Sequence, residues 1–289
     1  MCYYILFSVL LPLTLTSQSF IDIARLEYRI SPDNALEYTC HSQFTIQSFE
    51  ANVLLPLKID SSNYILAGLA HSTLYLDDVK FQSNVLQIGW QHTWNSRWKS
   101  TILLLPKTSS DGGNFTKKDA QIGGFLLISK ERSTDFQWKF GAYVNRDRFG
   151  PLTVPILGFK WQVNPSWQID LAMPVAATVR KTFNERLMAG IVYSGRKFSY
   201  YQNESDSYLE VGENFLWAFT DMYLSKSIVL NLRAGHSILR DYVSYRDKEK
   251  VALSFGSFEL DDNRTALTPS ISQGFSFQGS LIWRVNLQK

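Results

Sequence analysis

The sequence has little cysteine and no long apolar stretch beyond its first residues. No later window holds about eighteen apolar residues in succession, so no transmembrane helix is predicted. The periodicity typical of amphipathic helices is also missing over any useful length. These absences exclude a helical membrane protein and leave an all-β chain as the expectation.

A strong charge of either sign is missing too. The 289 residues include 29 Lys and Arg against 26 Asp and Glu, which gives a net charge of +3. No basic run is long enough for a nucleic-acid-binding patch, so we predict no nucleic-acid partner. Hydrophobic residues make up 45% of the chain, yet mean hydropathy is only −0.12, which is typical of a chain that alternates apolar and polar residues.

Patterns that carry catalysis or bind metals are absent. None of the four histidines forms a recognisable pair with an acid, and no nucleophile elbow occurs. The acidic pairs Asp77-Asp78 and Asp261-Asp262 lack calcium-loop spacing and are interpreted as solvated turns. We therefore expect no enzyme activity, no cofactor and no metal site.

The start of the chain indicates export. Residues 4–15 form an uncharged apolar run that is followed by Thr16, Ser17 and Gln18, and we interpret residues 1–18 as a signal peptide. The mature chain, 19–289, then keeps Cys40 as its single cysteine, so no intrachain disulfide is expected. We expect residues 19–289 to form one domain.

Period-2 alternation of apolar and polar residues dominates the rest of the chain and predicts β-strands. The clearest case is 271–287, whose apolar face consists of Ile271, Phe275, Phe277, Leu281, Trp283, Val285 and Leu287. Strands are predicted at 21–30, 44–57, 64–76, 84–94, 98–106, 120–130, 136–145, 157–163, 167–175, 187–193, 228–235 and 271–287. The stretches 193–208 and 249–260 leave the strand count open.

Tryptophans flank the tight turns. Such an arrangement is typical of a membrane–water interface, where the apolar ring and polar N–H of indole are both accommodated. The predicted interface girdle consists of Trp94, Trp98, Trp161, Trp167 and Trp283. Longer polar breaks are predicted at 31–41, 107–119, 146–153, 202–207 and 240–250. The fold prediction is an antiparallel up-and-down transmembrane β-barrel of about 12 strands, with 10 to 14 possible. We expect 271–287 to be its closing strand and to pair with the strand 21–30.

Part of the chain resembles a known family. The stretch 155–161 (PILGFKW), the stretch 167–174 (WQIDLAMP) and the strand 187–193 (LMAGIVY) are similar to an uncharacterised family of bacterial outer-membrane β-barrel proteins. The resemblance implies the barrel fold and a location in the outer membrane of a Gram-negative bacterium. It carries no activity and no functional residue. Barrels of this kind commonly end on an aromatic residue, whereas Gln288 and Lys289 follow Leu287 here.

The polar faces of the clearest strands supply the candidate functional residues. We expect Lys139, Lys160, Asp170, Arg233 and Arg284 to point into the barrel lumen. A porin-like function follows: a narrow pore or passive transporter for small solutes with mildly cationic walls. Mixed charges in a small lumen can equally form a closed, salt-bridged plug, and that alternative stays open.

Two other functions stay open. The loops 107–119 and 240–265 could bind an external partner, which would make the protein structural or adhesive. Alternatively, the chain could be a secreted soluble β-sandwich, because alternation alone does not say which face is wet. For the barrel, the expected partners are outer-membrane lipids, lipopolysaccharide and the barrel-assembly machinery, with the oligomeric state undetermined.

Overall fold

The computed structural model describes residues 20–35, 43–112 and 116–286, and these residues form sixteen β-strands. The strands are β1 (Phe20–Ala35), β2 (Gln43–Lys58), β3 (Asn63–Leu76), β4 (Val79–Thr93), β5 (Trp98–Ser110), β6 (Ala120–Ser133), β7 (Phe136–Asp147), β8 (Gly150–Asn164), β9 (Trp167–Met173), β10 (Ala176–Asn184), β11 (Leu187–Gln202), β12 (Ser207–Tyr223), β13 (Ile228–Arg246), β14 (Leu253–Phe255), β15 (Phe258–Leu260) and β16 (Phe275–Asn286). In these ranges no helix is long and apolar enough to cross a membrane. The predicted signal peptide and Cys40 lie outside the described residues.

Fourteen of the strands close into one antiparallel barrel. Each strand from β1 to β12 pairs with the next, and β16 pairs with both β13 and β1. The register between β1 and β16 runs from Phe20 opposite Asn286 to Ile30 opposite Phe277, which confirms the predicted pairing of 21–30 with the closing strand. Because one closed sheet forms, the β-sandwich alternative is wrong.

The strand count is at the upper end of the predicted range. The strands β10 and β12 were not identified from the sequence, and 193–208 divides between the long strand β11 and the turn before β12. In β12 the run 215–219 (FLWAF) is apolar on both faces, because its aromatic residues fill the lumen while Leu216 faces outward. The alternation that marks other strands is therefore absent.

The two faces of the barrel have opposite chemistry. Large apolar side chains are exposed on the outer face, and Leu69 and Leu157 are each 63% exposed. Other members of this outer belt are Leu55, Ile88, Leu104, Leu126, Phe140, Ile191, Leu216, Leu232, Phe277 and Leu281. Such a belt facing water would be unfavourable at about 25 cal/mol per Å² of apolar surface, whereas lipid solvates it. The fold is therefore a transmembrane barrel.

The two ends of the barrel differ in their connections. The turns 59–62, 94–97, 134–135, 165–166, 185–186 and 224–227 lie at one end, together with the first residue of β1 and the last of β16. We name this the short-turn end. The opposite, loop end carries the longest connection, 247–274, which includes the small hairpin β14–β15. The expectation of loops at 31–41, 107–119 and 240–250 is partly wrong, because β1, β5 and β13 continue into them. Strands that project beyond the lipid need no apolar outer face, so their alternation disappears.

The barrel wall has a notch at the loop end. The strands β9 and β10 have only 7 and 9 residues. The loop-end residues of β8 and β11 therefore do not pair with them. The strand β14 pairs with β8 at Leu152 and Thr153. The end of β11 instead crosses the barrel mouth, where Tyr201 pairs with Ser110 of β5. The mouth is thus bridged by the chain itself.

Candidate functional site in the barrel lumen

The structure places the five predicted lumen residues on the inner side of the barrel wall. Lys139, Lys160, Arg233 and Arg284 are buried, and Asp170 is partly buried. The Lys139 ammonium lies 2.6 Å from an Asp170 carboxylate oxygen, and Asp170 is opposite Lys160 in the ladder of β8 and β9. These three residues form one small ionic group. Arg233 and Arg284 belong to another side of the lumen, on β13 and β16.

A first ionic net lies in the loop-end half of the lumen. Its centre is the Glu213 carboxylate, which lies 2.9 Å from the Arg29 guanidinium and 2.6 Å from that of Arg196. Arg196 also contacts Glu50 at 2.7 Å, and the Tyr242 hydroxyl donates a hydrogen bond to Glu213. We name these five residues the loop-end net. The sequence patterns did not identify these residues. Four of the five lie in segments whose alternation is unclear, and Tyr242 lies in a stretch that was predicted to be a loop.

A second ionic net lies near the short-turn end. The Arg284 guanidinium lies 2.6 Å from Asp22 and 2.9 Å from Asp221, and its side chain is fully buried. Arg25 contacts the same Asp22 carboxylate at 3.2 Å. Arg284 also lies 3.9 Å from the centre of the Phe20 ring. We name Asp22, Arg25, Asp221 and Arg284 the short-turn net, and its carboxylates are already shared between two arginines.

Two further arginines beside this net have no carboxylate within ion-pair distance among the described residues. Arg233 donates through Nε to the Asn231 amide oxygen at 2.9 Å, while its Nη1 and Nη2 have no hydrogen-bond partner. Arg180 donates through Nη1 to Gln168 at 3.5 Å, and its Nε and Nη2 have none. The Arg180 guanidinium lies 5.6 Å from the centre of the Phe219 ring, and the Arg233 guanidinium lies 5.9 Å from it.

The register explains why these groups meet. Arg180 is opposite Gly190, which is opposite Phe219, which in turn is opposite Arg233. A Cβ atom at Gly190 would lie 2.0 Å from the Val179 carbonyl oxygen and 3.0 Å from the Phe219 ring. Glycine therefore permits the close approach that sets the ring between the two arginines.

The remaining lumen wall is partly apolar, which the sequence analysis did not anticipate. A buried cluster fills the side formed by β2 to β10 and consists mainly of Leu54, Leu66, Leu103, Leu105, Phe125, Leu127 and Ile156. The lumen therefore holds apolar as well as polar side chains. Its buried arginines lie on the strands from β10 through β13 and β16 to β1, which we name the charged wall, whereas Lys139 and Lys160 lie on β7 and β8 beside the apolar cluster. Any solute path follows the polar side chains of the charged wall.

Side chains also tie the loops together over the mouth. Lys118 pairs with Asp206 and lies 3.3 Å from Asp247. Arg264, whose side chain is 1% exposed, contacts Glu210 and Glu259 at 2.6 and 2.7 Å. Within the loop 240–265, which the sequence offers for an external partner, Arg240 and Tyr242 lie in the lumen and are not available for such a contact.

The predicted interface tryptophans all lie towards the short-turn end. Trp94 and Trp283 are 62% and 50% exposed, and Trp98, Trp161 and Trp167 are also exposed. This is the position expected of an aromatic girdle at one edge of the apolar belt. The buried Trp217 instead faces the lumen, where its indole N–H donates a hydrogen bond to Ser194.

A basic cleft of about 380 Å³ lies at the loop end of β6 and β7. It is lined by the exposed Ile122, Arg146 and Lys250 and by Arg148. Burial, followed by repulsion from Arg148, lowers the pKa of Lys250 below its usual range. The predicted contact with lipopolysaccharide stays a prediction, and this cleft is a place where an anionic headgroup could be tested.

Likenesses to solved structures are distant. A mutant of the monoaromatic hydrocarbon channel TodX is 11% identical over 96% of this chain and 93% of its own, with a TM-score of 0.47. The monoaromatic hydrocarbon channel CymD is 8% identical over 96% and 92%, with a TM-score of 0.43. The Pseudomonas putida toluene transporter TodX is 13% identical over 97% and 93%, with a TM-score of 0.34. Because these TM-scores are below 0.5, the fold assignment depends on the strand pairing of the chain itself.

Sequence comparison gives a family but no activity. No curated protein matches the chain. Residues 80–278 match a family described as a domain of unknown function, DUF6268, and this range includes the motifs at 151–193. Since the match spans more than half of the sequence, the chain belongs to the DUF6268 family.

Proposed function

We propose that the protein is a narrow outer-membrane pore that passes small polar solutes along the charged wall of its lumen. The apolar outer belt and the aromatic girdle support a membrane location. In bacterial barrels both chain ends normally lie in the periplasm, so the short-turn end is assigned to the periplasmic side and the loop end to the outside.

The observation that carries the proposal is a set of buried polar atoms without hydrogen-bond partners. Among the described residues they occur around the lumen on β4, β7, β10, β13 and β16, at Gln87, Gln137, Arg180, Arg233 and Gln278. Leaving such a group unsatisfied costs about 1–3 kcal/mol. Water in the lumen would satisfy these atoms, and a hydrated lumen is the first requirement of a pore.

The bridged mouth supports a narrow pore over a wide one. The contact between β5 and β11 divides the mouth, and the segment 247–274 folds over it with Arg264 as its anchor. A large solute would have to displace these contacts. A small ion or metabolite needs only the spaces between side chains.

Planar-bilayer recording tests the proposal. Purified protein, shown to be folded by heat-modifiable gel mobility, should give small, discrete conductance steps in KCl, and the heat-denatured sample should give none. Absence of conductance at every salt concentration would contradict a pore and would favour the salt-bridged plug. Recovery of the protein in the aqueous fraction of cells would contradict the membrane location.

A further inference from the structure

We propose that Arg180 and Arg233 form a binding site for small carboxylate anions in the lumen. The inference depends on the proposed function in one respect, because it names the solute class that the pore would select. The site itself is defined by the side chains around Phe219 and does not require conduction.

The first argument is the local surplus of positive charge. The short-turn net and its two neighbours contain the cations Arg25, Arg180, Arg233 and Arg284. Among the described residues, the carboxylates within ion-pair distance of this group are Asp22, Glu27 and Asp221. All three are in ion-pair contact with Arg25 or Arg284, and Asp221 also attracts Arg180 over a longer distance. Three carboxylates therefore serve four arginines, and neither Arg180 nor Arg233 has one in direct contact.

The second argument is how the acid nearest to Arg233 is occupied. Asp221 accepts from Arg284 at 2.9 Å and from the Asn231 amide at 2.5 Å. The oxygen of the same Asn231 amide accepts a hydrogen bond from Arg233. Arg233 thus reaches Asp221 only through a neutral amide, and a buried guanidinium without a counter-charge is strongly unfavourable.

The third argument is geometric and selects the class of anion. In Arg233 the two Nη atoms are unpartnered and the Nε atom is occupied, so the open side of the guanidinium is its two-pronged end. That end binds a planar carboxylate through two parallel hydrogen bonds. The free Nε and Nη2 of Arg180 supply a second donor pair near the same ring.

The alternative occupant is water alone. Water can satisfy the donors but cannot neutralise the surplus charge, which is why an anion is favoured. A site of this kind predicts saturation: anion flux should level off as the anion concentration rises, because binding holds each anion before release.

Selectivity measurements on matched variants provide the test. Wild-type protein and the variants Arg180→Gln, Arg233→Gln and Arg246→Gln are compared in planar bilayers under gradients of potassium acetate and potassium chloride. Arg246 lies on the same strand as Arg233, but its side chain is 71% exposed, so it controls for loss of a charge outside the site. We expect an anion-selective wild type whose acetate-to-potassium permeability ratio falls about threefold in each lumen variant and is unchanged in Arg246→Gln.

A crystallographic measurement keeps the two proposals distinguishable. Crystals of wild type and Arg233→Gln are soaked in bromide, whose anomalous signal locates a bound anion without any need for conduction. We expect a bromide peak beside the Nη1 and Nη2 atoms of Arg233 that is lost in the variant. If the protein does not conduct but the peak is present and lost in the variant, the pore proposal fails and the anion site stands. If the protein conducts without anion selectivity and no peak occurs, the pore stands and the site is occupied by water.

Discussion

The lumen holds two groups of buried arginines that are treated differently. In the loop-end net, Arg29 and Arg196 share Glu213, and a second carboxylate, Glu50, supports Arg196. Near the short-turn end, Arg180 and Arg233 form side-chain hydrogen bonds only to neutral amides among the described residues, and neither is within ion-pair distance of a carboxylate. Paired charges hold strands together across a barrel, whereas an unpaired buried charge opposes folding and is retained for another reason.

This difference in pairing distinguishes arginines with a structural role from arginines with a functional role in the same barrel wall. Removing one member of a paired group leaves its partner buried and alone, so stability should fall. Removing an unpaired arginine relieves a cost, so stability should stay or rise while selectivity changes. The comparison is therefore open to measurement at single side chains.

The largest effect is expected from Arg284, compared with Arg233. Arg284→Gln leaves Asp221 without its arginine and Asp22 with only Arg25, which should lower the free energy of unfolding by about 3–5 kcal/mol. Arg233→Gln should leave it unchanged or higher. Urea unfolding in lipid vesicles, followed by tryptophan fluorescence, measures both. Equal losses in the two variants would remove the distinction between paired and unpaired arginines.

A smaller loss is expected in the loop-end net. Glu213→Gln keeps an acceptor oxygen for Tyr242 but removes the charge between Arg29 and Arg196. We expect a loss of about 3 kcal/mol in the same unfolding experiment, since two buried guanidinium groups then repel each other. The double variant Arg29→Gln/Glu213→Gln serves as its control and should recover part of that loss. A double variant no more stable than the single one would show that the net is not a charge-balanced unit.

A weaker effect is expected at the mouth, where Arg264 anchors the segment 247–274. Arg264→Gln removes ion pairs to Glu210 and Glu259, but Lys197 still contacts both carboxylates, so the loss should be about 1–2 kcal/mol and local. Hydrogen exchange of 249–265 should accelerate in the variant while β12 stays protected. Arg246→Gln is the control, because the ion pair of Arg246 with Glu249 is long at 3.9 Å and the Arg246 side chain is exposed. Unchanged exchange in 249–265 would show that Arg264 is not the anchor.

The fold could be predicted from the sequence because the outer face of every membrane-spanning strand contacts the same environment, lipid. Every membrane-spanning strand needs apolar side chains on its lipid-facing side, and this requirement produces the alternation seen in 136–145, 157–163 and 271–287. The closing pair of strands and the resemblance to an uncharacterised outer-membrane barrel family are both confirmed. Ile271 departs from the pattern: it is buried, because β16 begins only at Phe275.

The lumen could be predicted only in part, because its inward-facing side chains follow no regular sequence pattern. The inner face holds Arg233 and Leu127 alike, depending on what stands opposite in the closed barrel. Arg196 and Glu213 are opposite each other in the ladder of β11 and β12, but Glu50 on β2 reaches Arg196 only across the closed barrel. Arg180 lay in a strand without a recognised pattern, so nothing in the sequence joined it to Arg233.

The smallest effect concerns exposed charges and sharpens the contrast with the buried groups. Hydrogen bonds from Lys118 and Tyr201 lower the pKa of Asp206, and the bond to Asp206, followed by that to Tyr201, raises the pKa of Lys118. Since the folded pKa of Asp206 lies below its ordinary 3.8, its contribution is complete above pH 3.8 and is lost as the pH falls through the folded value. Lys118 stays protonated throughout, because its contribution is lost only above 10.5.

A spin label reports this release. Placed at Lys117→Cys in a Cys40→Ser background, the label should have the same mobility at pH 7 and pH 5 and become more mobile below about pH 3.8. In Asp206→Asn it should be mobile at every pH, because the ion pair cannot form. The ion pairs of Glu213 with Arg29 and Arg196 should stay intact in the same range, since this carboxylate is buried between two guanidinium groups. If tryptophan fluorescence showed the barrel unfolding as the label became mobile, exposed and buried pairs would not be separable by pH. The contrast between them would then have to be tested by substitution alone.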